Sequence, residues 1–154
     1  MKNTEIKNIN ENINGEIPKG TKIIVQVKNV DEPEKIVRNT KEIMLKISNF
    51  AYTNEWPTDK EWKVILPEWF VKSMTDKSLE EIMKTKGQWH FESWISNIKD
   101  RAWIWHSSKI EERGIKFVLE TLSYPYLQGT FLYILFSQGI SMAHIEVIDD
   151  LEME

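Results

Sequence analysis

All seven tryptophans of this chain fall between Trp56 and Trp105, and no other feature constrains its folding as strongly. Aromatic rings bury about 150–250 Å² apiece and dominate cores, so the core must be built largely in that stretch. Its densest part, residues 88–108 (QWHFESWISNIKDRAWIWHSS), holds four of the tryptophans and two of the three histidines. Within it the apolar rhythm changes from helical to alternating. The rest of the chain is expected to pack around this run.

Residues 89–99 put Phe91, Trp94, Ile95 and Ile98 on one helical stripe and leave His90, Glu92, Ser96, Asn97 and Asp100 outside it. From Arg101 the period is two, with Trp103, Trp105 and Ser107 on one strand face and Ala102, Ile104 and His106 on the other. A charged loop, residues 109–114, leads to a second strand over 115–122, with Ile115, Phe117 and Leu119 inward. That pair reads as an antiparallel hairpin. Tyr124-Pro125-Tyr126 breaks it, and residues 128–138 form an apolar helix stopped at Gly139. A last strand over 141–148 carries Ala143, Ile145 and Val147 on one face, His144 and Glu146 on the other. Strand, helix and strand in this order predict a right-handed parallel crossover.

Upstream, residues 1–20 are rich in asparagine, with Ile6, Ile9 and Ile13 on one stripe and a turn signal at Asn14-Gly15. They read as a loosely attached arm, and residues 21–154 as a single domain. Residues 22–28 alternate as a half-buried strand. A helix then opens at Asp31, a candidate cap with Glu34 reaching back and Pro33 tolerated in the first turn. Its buried stripe is Ile36, Val37, Ile43, Met44 and Ile47. Thr58 and Glu61 form a second capping-box pattern, Pro67 forces a restart over 67–74, and Ser78 with Glu81 gives a third box, closed by Gly87. Residues 64–66 fit a strand as well as a helix. The expected fold is α+β: a mixed sheet of about four strands packed against several helices in a single pair of layers.

Several functions are excluded by composition. The chain has no cysteine, so it holds no disulfide and no thiolate metal site. MKNTEIKNINENING lacks the apolar segment of a secretory signal. The longest apolar run, residues 131–136, is far short of the roughly 20 residues of a membrane span. A soluble cytoplasmic protein without membrane contact is expected. His90, His106 and His144 match no zinc-binding spacing, and neither metal nor cofactor is expected. Lys99, Arg101 and Lys109 supply only a fragment of a phosphate track, which argues against nucleic acid.

The charge is divided unevenly. Residues 1–116 carry all 20 Lys and Arg against 18 acids, whereas residues 117–154 carry six acids and no Lys or Arg. Such a field attracts cationic surfaces. Glu120, Glu146, Asp149, Asp150 and Glu152 are therefore the candidate contacts with a basic protein partner, and Trp103 and Trp105, if one face of their strand is open, its aromatic anchors. In size, charge sign and the closing order AWIWHSS–IKFVLET–FLYILFSQGI–HIEVIDD, the chain resembles the small immunity proteins that neutralise bacterial toxins. That resemblance implies stoichiometric inhibition of a basic toxin or enzyme, by a monomer or weak homodimer. Two other readings stand beside it. A small hydrolase-like enzyme would use His106, His144 and Glu146, provided the last strand runs beside residues 103–108. A structural subunit would self-associate through the tryptophan-bearing strand.

Overall fold

The alternation over residues 22–28 does produce a strand, β1 (Lys22–Val27), and the hairpin from the tryptophan-rich run gives β2 (Trp103–Glu111) and β3 (Gly114–Thr121). A short strand, β4 (Ile145–Asp149), closes the sheet. The computed structural model describes residues 2–11, 22–53, 55–75, 91–122 and 129–149. In it the strands lie in the order β2–β3–β1–β4, and every neighbouring pair is antiparallel. The fold is α+β with four strands, but the sheet is antiparallel where a mixed one was expected. The reason lies in β1. β3 and β4 do run in the same direction, as a crossover requires, yet β1 is inserted between them and pairs with both.

The helices crowd onto one face. β1 presents Ile23, Val25 and Val27 there, β3 presents Ile115, Phe117 and Leu119, and β2 presents Trp105. Against them lies α2 (Pro33–Ala51), whose predicted stripe of Ile36, Val37, Ile43, Met44 and Ile47 is buried. Asp31 does not cap it. The helix starts after Glu32 without a side-chain cap, and Asp31 instead meets Arg113 at 3.1 Å. Pro33 suits the first helical position because an N–H there has no intrahelical partner. The second capping box forms as read: in α3 (Asp59–Ile65) Glu61 N–H donates to Thr58 Oγ1 at 3.2 Å, and Thr58 N–H donates to Glu61 Oε1 at 3.0 Å. That backbone bond lowers the Glu61 carboxyl pKa. The ambiguous run near residue 65 is thus the end of a helix. After Pro67 comes α4 (Glu68–Thr75), then α5 (Phe91–Lys99) with Phe91, Trp94, Ile95 and Ile98 buried, then α6 (Gly129–Phe136). The third capping-box pattern, Gly87, Trp89 and His90 lie outside the described residues.

Residues 2–11, expected as part of a loose arm, form a helix, α1 (Lys2–Glu11), packed on α2 and β2. Ile9 is buried, and so is Glu5. Four of the tryptophans belong to the core. Trp62, Trp94 and Trp105 are fully buried, and Trp103 nearly so. Phe70 and Trp94 meet at 4.8 Å, Trp105 and Phe117 at 5.7 Å, and Phe117 and Phe131 at 5.1 Å, all edge-to-face. The indoles also tie α6 down: Trp94 Nε1 donates to the Thr130 carbonyl and Trp103 Nε1 to Thr130 Oγ1, each at 2.9 Å.

Candidate functional site

Two of the expected partner contacts are removed by burial. Trp103 and Trp105 are 4% and 0% exposed, because the helices cover one face of β2 and α1 closes its edge. Neither ring is free to anchor a partner.

The histidines and Glu146 do not converge either. His106 is on β2 and Glu146 on β4, the two outer strands of the sheet. Three strand spacings separate them, roughly 14 Å, which is too far for a shared proton. Local geometry adds a second reason. The ladder shifts register between Trp105 and Ser107, so His106 sits in a β-bulge and the alternation read from the sequence does not continue through it. Ser107 pairs with Val118 and Ser108 with Phe117, which puts Ser108, not Ser107, on the face of Trp105. His144 lies in a short 3-10 turn before β4, with Nδ1 3.0 Å from the Lys28 carbonyl and no hydroxyl in its place. Among the described residues no three His, Cys, Asp or Glu side chains gather as a metal site would require.

The acids divide differently from expectation. Glu146 is exposed on the sheet face opposite that of Val25 and Phe117, where Lys28 Nζ meets it at 3.2 Å. Glu120 is half-buried on the same face, with Lys22 as its cross-strand neighbour. The carboxylates on the sheet are therefore balanced by lysines of β1 and its extension. They do not form a broad anionic face. The Lys28–Glu146 pair has both side chains more than half exposed, and such pairs contribute only about 0–1 kcal/mol. A cationic partner can displace it at little cost. Asp149 ends β4, and Asp150 and Glu152 lie outside the described residues.

A cavity of about 630 Å³ opens at the same end of the sheet as His144, lined by Lys28, Asn29, Lys35, Asn39 and Trp69 among others. Its size suits a ligand, and Lys28 on its wall is engaged by Glu146. Family models, curated proteins and solved structures offer no match to this chain. The functional reading therefore rests on the surface alone. No helix among the described residues is long and apolar enough to cross a membrane.

What sequence reading did not anticipate is the state of the two sheet edges. At β2 the Glu5 carboxylate accepts the Trp105 N–H at 2.8 Å, so a helix side chain takes the place of a neighbouring strand. At β4 nothing comparable occurs among the described residues. The only signal for this in the sequence is the brevity of the last strand and the glutamate inside it, since charged residues and short strands are typical of edges.

Proposed function

We propose that the protein is a non-catalytic binding module for a cationic protein, which it holds stoichiometrically through β4 and the acidic sequence that follows. An inhibitory role of the immunity-protein kind is the specific form of this reading. One observation carries it: the outermost strand, with no further strand beside it among the described residues, belongs to the part of the chain that has six acids and no Lys or Arg. Opposite charge speeds encounter with a basic target and fixes its approach. His106 and Glu146 lie on the two outer strands of the sheet, an arrangement that lends the hydrolase reading no support.

The test is charge reversal. Immobilised wild-type protein is expected to retain a basic protein at a 1:1 ratio, more weakly as salt rises. Asp149→Lys, Asp150→Lys and Glu152→Lys together are expected to release it, while His106→Ala with His144→Ala leaves retention unchanged. Retention indifferent to the three lysines would overturn the proposal.

A further inference from the structure

The open edge can be read atom by atom. Lys28 N–H donates to the His144 carbonyl at 2.8 Å, one step beyond the Val27–Ile145 pair of the β1–β4 ladder. Antiparallel ladders alternate bonded and non-bonded pairs. Gln26–Glu146 and Ile24–Ile148 are then the bonded ones, and Ile145, Val147 and Asp149 turn their backbone groups away from β1. The Ile145 N–H is satisfied by the Met142 carbonyl. Among the described residues the Ile145 carbonyl and both groups of Val147 and Asp149 are left on the outer edge. Val147, in the middle of the strand, can both donate to and accept from a facing backbone.

The side chains specify the occupant. Ile145 and Val147 point to the helix-bearing face and are half-buried, packed against the core. Glu146 points to the other face and is exposed. A neighbouring strand places its residues beside these on the same faces. We infer that β4 is an augmentation edge, and that the cationic partner docks on it with an extended segment alternating apolar and basic residues. Apolar side chains sit beside Ile145 and Val147, and a Lys or Arg beside Glu146 takes over the role of Lys28. Main-chain bonds supply affinity in this mode, and alternate side chains supply selectivity. The inference rests on the proposed binding of a basic protein and names the surface and the form of the ligand.

Synthetic peptides test it without knowledge of the partner. Two short peptides of equal composition are titrated calorimetrically: one alternates valine and lysine, the other groups them in blocks. The alternating peptide is expected to bind at least about tenfold more tightly, the worth of one or two hydrogen bonds. Methylating its backbone nitrogens on one edge, or Val147→Pro in the protein, is expected to erase that advantage. An outward N–H is a position where a strand tolerates proline, and the methylated peptide gives the same answer on unaltered protein. Equal binding of both peptides, indifferent to methylation, overturns strand addition and leaves a purely electrostatic partner. Failure of both peptides to bind also overturns it, and if charge reversal leaves the retained basic protein in place as well, the underlying reading fails with it. A wild-type dimer that Val147→Pro converts to monomer would assign the edge to a second copy, against the inference.

Discussion

At the residue scale the most consequential side chain is Glu5, which is fully buried. Ser48 Oγ donates to it at 3.0 Å, Tyr52 OH at 2.9 Å and the Trp105 N–H at 2.8 Å, and Arg101 Nη2 completes the set. Arg101 reaches it from a backbone in the left-handed region, φ 50°, between α5 and β2. Breaking a buried pair by removing one partner costs about 3–5 kcal/mol, because the other charge is left uncompensated. Glu5→Ala is expected to lose that much in urea unfolding. Glu5→Met with Arg101→Met should recover only part of it, since the Trp105 N–H still lacks an acceptor. Tyr52 registers the same cluster. Burial first, and the Glu5 charge second, push its phenol up to about 12. In the unfolded chain it ionises near 10, so between those values the unfolded form has lost a proton that the folded form keeps. Stability attributable to Tyr52 is thus intact below pH 10 and falls as pH rises toward 12. Tyrosinate absorbance should show one phenol titrating late, and Tyr52→Phe should flatten the loss of stability over that window.

At the scale of elements, what the sequence disclosed was local and what it withheld was long-range. The Thr58–Glu61 box is written in four consecutive residues and forms as read. Thr58→Ala should cost about 1 kcal/mol of unfolding free energy, while Thr58→Ser should cost little. The stripes of α2 and α5 were legible for the same reason, since a 3.6-residue period is visible in one segment. The bulge at His106 was not, because an extra residue in one strand shows only against its partner. Nor was the position of β1 between β3 and β4, which depends on pairing across some 90–120 residues of sequence. Gly114 illustrates the point. It reads as a turn glycine, but a Cβ there would lie 2.7 Å from the Val27 carbonyl oxygen. Its smallness serves the β1–β3 contact and the hairpin corner together. Gly114→Ala is expected to destabilise by roughly 1–3 kcal/mol, the usual cost of forcing atoms into packed space, with hydrogen exchange accelerating first at Val27 and Ile115.

The whole molecule is asymmetric about its sheet. An uncovered strand edge is a template for pairing with other chains, and among the described residues one of the two edges, that of β2, is closed. At β2 the cover is α1, fastened by the Glu5 carboxylate, which accepts from the edge itself. Ile6 and Ile9 share a stripe that periodicity reveals, but nothing local marks Glu5, a surface residue by type, as the fastening. Its burial depends on Arg101 and Tyr52, 96 and 47 positions away. Removing α1 therefore does more than subtract stability. It frees the Trp105 N–H and uncovers a nine-residue strand, β2, whose first three residues, Trp103, Ile104 and Trp105, are apolar. A chain lacking residues 1–11 is expected to sediment as a concentration-dependent oligomer under conditions where the full chain does not. Val147→Pro discriminates between the edges. If association of the truncated chain passes through β2, the proline leaves it unchanged. If the proline abolishes it, the edge at β4 is the self-associating one and α1 has no guarding role. Glu5→Gln should reproduce the truncation weakly, because an amide oxygen can still accept from Trp105 while the attraction to Arg101 is lost.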